Sequence, residues 1–372
     1  DALAVRNGRY TLKLANQLEE IIYMDGLELI AVDHPADVTV YPNERLLAAP
    51  PYPDFVLYPL SELRPPRDAR DDHGKIILKE LAEIDDVWYD DFGLTDIHGY
   101  AEEYSITLDL GDLSNTEHPV LLAYGWVDYA HSSSNWAASQ RGLTLSPPRI
   151  EASDGRGGWR LLSADMGRPA GLPKHMLFDL NGAFETEDYR IRITTNAAIY
   201  WDQFLVGSYS QVPLQVQRLR PTAANLSWRG YPAHTSINGT FAFRYHYDTL
   251  HTEAPWGTHA GSYTRLGPVT ELVQAVDDRF AIMFHGDELS FEFSAEDLSP
   301  PAPGTKRSFM LYANGFGKDM DFHSAYSQTV EPLPFHGMSS YPYPPEERYP
   351  QSEKHLEYVE AYNTRRVKGY YR

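Results

Sequence analysis

The chain reads as an all-β protein, built from two or more antiparallel β-sandwich units of jelly-roll or immunoglobulin-like type, with few short helices and an extended Pro/Tyr-rich C-terminal arm. Three observations point there. Hairpin dipeptides recur as Asn7-Gly8, Asn181-Gly182, Asn238-Gly239, Asn314-Gly315, Asp25-Gly26 and Asp154-Gly155, and such pairs favour the positive φ of type I′ turns between antiparallel strands. β-rich runs flank them. Tyrosine is abundant, at 26 of 372 residues, which suits pleated, half-buried surfaces and contact faces.

Thirteen runs read as strands in chain order: 10–14, 27–32, 38–41, 104–110, 120–129, 149–152, 159–162, 176–180, 189–195, 199–206, 240–247, 280–284 and 289–293. Short connections between many strands suit sandwiches or barrels. Only 269–276 and 353–362 read as helices, and none alternates with the strands, against a doubly wound or TIM fold. Four zones follow from composition. Residues 1–104 form an acidic, β-rich N-terminal region of net charge −13 that includes the Pro-rich stretch 49–67. Residues 105–210 carry the most regular pattern and read as one sandwich. Residues 211–300 form a second β-rich unit. Residues 301–372 read as an arm near +1 whose prolines interrupt any ladder. Its aromatic content predicts an ordered arm, packed on its own chain or on a neighbour.

A formal charge of −20 argues against general nucleic-acid or anionic-membrane binding, which needs a basic surface. The absence of cysteine removes disulfides, thiolate catalysis and Cys-based metal sites. No stretch reaches 18 apolar residues, so no transmembrane segment is expected. The first residues, Asp1-Ala2-Leu3-Ala4, lack the features of a signal peptide, so an exported protein would have lost an export segment or an upstream domain. The sequence has no Gly-x-Ser-x-Gly elbow, no Walker A loop and no His-Glu-x-x-His.

Two clusters carry chemistry. Trp126, Asp128 and Tyr129 end one predicted strand, with Asn135 following, and Tyr200, Trp201 and Asp202 lie on another. A flat ring beside carboxylate and amide groups is how a sugar face is gripped, although a sandwich core with capped loop groups has the same composition. Asp85, Asp86, Asp90, Asp91 and Asp96 fall within twelve residues, an oxygen-rich loop of the kind Ca²⁺ uses; the spacing departs from the Asp-x-Asp-x-Asp-Gly pattern and also suits a solvated acidic loop. Other groups read as structural. His246 and His251 are five apart in a strand, so they face opposite sides. His34, followed by Pro35, and His336, in Pro334-Phe335-His336-Gly337, read as turn histidines bound to backbone. Asp277/Asp278 with Asp287/Glu288 would suit glycoside hydrolysis only at 5–10 Å separation, and each pair also fits a local turn or ion pair.

Longer blocks carry a resemblance: 18–25 with 31–35, Gly125-Trp-Val-Asp-Tyr129 with 132–140, Asp165-Met-Gly-Arg-Pro-Ala-Gly-Leu-Pro173, Arg190-Ile-Arg-Ile-Thr-Thr-Asn196 with 200–203, 277–280 with 286–288, and 329–338. Together, over nearly the whole chain, they resemble the C-terminal region of large bacterial exported proteins with FG-GAP (VCBS-type) repeats and an ASPIC/UnbV segment, related to cartilage acidic protein. The resemblance implies extracellular, cell-surface or periplasmic residence and a binding or scaffold role, with no catalytic residues to carry over. The Ca²⁺-binding repeats of those proteins are not in this chain. The expected function is therefore a non-catalytic β-sandwich protein binding a glycan, a surface polymer or partner subunits. Two alternatives stand beside it, a structural subunit of a larger extracellular assembly and a polysaccharide-acting hydrolase.

Overall fold

The computed structural model describes residues 3–236, 243–254 and 256–369. Strands make up 45% of the chain and helices 7%, so the all-β expectation holds. Two compact units divide the chain. One takes the residues up to Asp33 together with those from Gln215 onward; the other is the single stretch His34–Leu214. This division cuts across the four composition zones. Residues 1–104 are shared between both units, and the tail 301–372 joins most of 211–300, from Gln215 onward, in one of them.

The contiguous unit is a sandwich of two five-stranded antiparallel sheets. One orders the strands Trp159–Ser163, Arg149–Ser153, Arg190–Ala197, Tyr100–Asp109 and Asp68–Asp71. The other orders Lys174–Asp179, Pro119–Val127, Ile199–Tyr209, Leu57–Arg64 and Thr39–Pro42. The two-residue period of a strand sorts its side chains between faces. Leu121 and Ala123 join Ile106, Leu108, Ile191, Ile193 and Phe204 in the core between the sheets. Val120 and Leu122 face the other way, with Leu60 and Leu177.

The composite unit is also layered. Arg9–Ala15, Asp287–Ser294, Ala223–Trp228 and Gly267–Pro268 make one sheet; Gln215–Leu219, Glu20–Pro35 and Ala281–Met283 make a second, to which Thr305–Asp319 adds by pairing with Glu20–Pro35. Tyr10, Leu29, Phe291, Met283 and Tyr358 share the core between them. Alternate residues Ile21, Tyr23, Phe280 and Ile282 pack on the outer side with Tyr263 and Val330.

Several turn expectations are met and others corrected. Asn7 and Gly8 take φ of 52° and 73°, closing the turn bridged by Arg6 and Arg9, as a type I′ turn requires. Asp25-Gly26 and Asn314-Gly315 are not turns. Each lies inside a long strand, and its glycine serves close approach: a Cβ on Gly26 would meet Val276 at 2.8 Å, and one on Gly315 would meet the Tyr23 carbonyl at 2.1 Å. Asn238-Gly239 and the start of the 240–247 run lie outside the described residues. The 269–276 helix is a single 3-10 turn, Thr270–Leu272, whereas the second helix spans Glu353–Tyr362 as expected. The tail is less of an extended arm than its prolines suggest, because its fifteen-residue strand Thr305–Asp319 precedes the proline-rich part. It packs on its own chain, with Tyr358 only 2% exposed.

Candidate functional site

The strand Pro119–Val127 ends at a cleft of about 220 Å³ in the contiguous unit, lined in part by Gly99, Asp128, Tyr129, Asn135, Leu145 and Arg168. Local geometry explains why these residues meet. The Asp128 amide donates to the Ala198 carbonyl at 2.9 Å, holding the carboxylate at the sheet's end. Gly99 has φ of 80°, and a Cβ there would fall 2.5 Å from the Ala130 nitrogen. Only glycine lets the two loops approach this closely, and that places His98 beside Asp128.

His98 Nε2 lies 3.2 Å from Asp128 Oδ1, and the hydrogen bond to Asp128 raises the His98 pKa despite the opposing effect of burial. The His98 ring stacks on His131 with centroids 5.6 Å apart. Tyr129 is 47% exposed and leaves a ring face to solvent. Serines 132–134 and Asn135 open the helix Ser132–Gln140. Asn135 is committed to structure: its Nδ2 donates to the Ala130 carbonyl at 2.9 Å, and its Oδ1 accepts from the Tyr100 hydroxyl at 2.8 Å.

The predicted ligand set therefore splits. Asp128, Tyr129 and Asn135 share the cleft. Trp126 is half-buried against Tyr200, with ring centroids 5.8 Å apart. Tyr200 and Trp201 are corrections: both are core residues, 1% and 0% exposed, with no face for a ligand to stack on. Asp202 is buried too. It sits where the pairing with Pro119–Val127 shifts register, both carboxylate oxygens lack a hydrogen-bond partner, and burial pushes its carboxyl up to about 6. The backbone amide of Asp85, which opposes that shift, makes no well-formed hydrogen bond to it.

The acidic loop does not gather. Asp91 pairs with Lys75 at 2.7 Å and Asp96 with Arg141 at 2.5 Å. Asp85 accepts from the Val87 amide, Asp90 faces solvent, and Asp86 is half-buried. Among the described residues no metal-competent cluster draws on Asp85, Asp86, Asp90, Asp91 or Asp96; Asp91 and Asp96 are paired with separate cations and Asp90 points to solvent.

Asp287 and Glu288 sit within buried ion pairs. Asp287 is held by both terminal nitrogens of Arg365, one at 2.9 Å, and Glu288 by Lys13 at 2.7 Å and by Arg229. Asp277 pairs with Arg279 at 2.7 Å, the local ion pair its spacing suggests. Sequence reasoning missed three features. Arg168 lines the cleft from a segment with no pattern linking it to Asp128. His259 and His285 are 0% and 1% exposed, and burial pushes each down to about 4. The ring of His336 binds side chains, those of Asp278 and Asn314, rather than backbone. The surrounding Pro334-Phe335-His336-Gly337 run carries no hint of those partners.

No family model, no curated protein and no solved structure matches this chain. Among the described residues no helix is long and apolar enough to cross a membrane.

Proposed function

We propose that the protein is a non-catalytic binding module of a cell surface or extracellular setting, and that its contiguous unit holds a saccharide in the cleft of Asp128, Tyr129 and Arg168. One observation carries this reading: a half-exposed tyrosine, an aspartate and an arginine line a single concave site. The C–H face of a pyranose ring stacks on an aromatic face, and its vicinal hydroxyls pair with planar charged groups. Drug-sized ligands occupy ~300–1,000 Å³, so a cleft of about 220 Å³ suits one sugar residue of a longer polymer. His98 orients the Asp128 carboxylate. Export, as the resemblance implies it, would bring the cleft to where such polymers occur.

A glycan array probed with the full chain, followed by calorimetric titration of the best saccharide, tests the proposal. Tyr129→Ala is expected to weaken binding by about tenfold, the scale of one lost stacking contact of ~1.4 kcal/mol. Asp128→Asn should weaken it further. An array without signal above background, or affinities untouched by both substitutions, would overturn it.

A further inference from the structure

The composite unit holds a second constellation, remote in sequence from every residue of the cleft. We propose that Asp25, Asp278 and His336 form a site for one divalent transition-metal ion of the zinc type, with a fourth position open to water. Their ligand atoms all lie within 4.8 Å of one another, the one such group among the described residues. The three residues come from distant parts of the sequence, so an ion there would tie the tail to the sheet.

The hydrogen-bond geometry of His336 is the crux. Its Nε2 faces Asn314 Oδ1 at 2.7 Å, so Nε2 carries a proton and donates it. Its Nδ1 faces Asp278 Oδ1 at 2.7 Å and Asp25 Oδ2 at 3.5 Å. With Nε2–H donated away, neutral imidazole would turn a lone pair toward two carboxylates. That arrangement is repulsive unless a second proton or a cation lies between them. Metal-bound histidines commonly donate their other ring N–H to an oxygen in this way, which fixes the tautomer and aims the lone pair at the ion.

The carboxylates are preorganised. Asp25 is fully buried, and its two oxygens accept the Asp277 and Asp278 amides at 3.2 and 3.0 Å. Asp278 is fixed through its carbonyl by the Tyr349 hydroxyl and through Oδ1 by the His336 amide at 2.8 Å. His336 is 37% exposed, which gives an ion a path in and leaves room for water. One imidazole nitrogen with two carboxylate oxygens suits zinc and its first-row neighbours, whereas Ca²⁺ and Mg²⁺ prefer all-oxygen shells. Ligands of a tetrahedral ion with bonds of about 2.0–2.2 Å stand ~3.3–3.6 Å apart. The Asp25–His336 distance already meets this, and Asp278 needs only to swing outward by under about 1 Å.

The test is titration of chelator-treated full-length protein with ZnCl₂, read by calorimetry and by native mass spectrometry. Cobalt(II) absorption then reports the coordination geometry. The expected result is one ion per chain, tetrahedral-type cobalt bands and a rise in Tm with metal by mass action. His336→Gln, at a part-exposed position, should abolish stoichiometric binding. Asn314→Ala, which removes only the positioning contact, should weaken it by about 10–100-fold. His246→Gln, on the exposed strand Arg244–His251, should leave it unchanged. Absence of 1:1 binding by the unsubstituted protein would overturn the proposal. Full binding by a folded His336→Gln protein would overturn it equally.

Discussion

The two units solve the same architectural problem with different materials. The contiguous unit, His34–Leu214, is a sandwich whose sheets close over one mostly apolar core, and its ion pairs, such as Arg190–Asp188, lie near the surface. The composite unit joins residues up to Asp33 to residues beyond Gln215, and places charge inside itself. Arg307 clasps the buried Asp33 at 2.6 Å, Arg365 grips Asp287, and His259 and His285 are sealed in as neutral rings. A chain that must bring strands together across more than 270 residues, as Arg9 and Ser294 are, gains partner selection from paired charges. An unmatched charge left inside is costly, so wrong pairings are penalised.

Two expected outcomes would break or sharpen that contrast. The largest follows from ending the chain at Pro300. This removes Thr305–Asp319, one of the strands that pair with Glu20–Pro35, the core residue Tyr358 and the arginine partners of Asp33 and Asp287. Hydrogen exchange should then show amides of 20–33 and 287–294 losing protection while those of 119–127 and 199–209 keep theirs. Equal protection throughout would mean that the tail is not part of the composite unit's stability.

A smaller effect is expected on acidification. His259 and His285 titrate near 6.5 when unfolded and near 4 when folded. The unfolded state therefore binds more protons between those values, and stability falls as pH drops through that window. Each histidine contributes on the order of 3 kcal/mol. Glu20, pushed up to about 7 mainly by burial, acts oppositely and offsets about one of them, leaving a net loss of about 3 kcal/mol. In the contiguous unit His175, lowered to about 4 by burial, is countered by Asp202, raised to about 6. Exchange measured at pH 7 and pH 4.5 should thus show preferential loosening of the composite unit. Parallel loosening of both would remove the buried histidines as the cause.

The contrast also sets what could be read in advance. Local rules carried the contiguous unit: its strands show as β-rich runs, and Asp154-Gly155 and Asn181-Gly182 fall between strands, with both glycines at positive φ. They also gave the helix Glu353–Tyr362 at its true bounds. The helix Ser132–Gln140 escaped notice because Trp136, Ala137 and Ala138 make no apolar stripe. Burial separated Tyr200 and Trp201 from Tyr129, and burial depends on which strands become neighbours. Around Asp25, Asp278 and His336, local rules gave the Asp277–Arg279 ion pair but misread the strands and the histidine. Asp25-Gly26 and Asn314-Gly315 carry a turn signature but serve close strand approach, and His336 finds its partners at positions 278 and 314, which no local window contains.

The saccharide cleft of an autonomous unit is the central claim, and one titration addresses it directly. A fragment spanning 34–214, labelled for NMR, is titrated with the saccharide that binds the full chain. The expected result is a dispersed, folded spectrum, affinity within about threefold of the full chain, and shifts concentrated at Gly99, Asp128, Tyr129 and Arg168. A folded fragment without binding, or shifts centred away from these residues, would contradict the account.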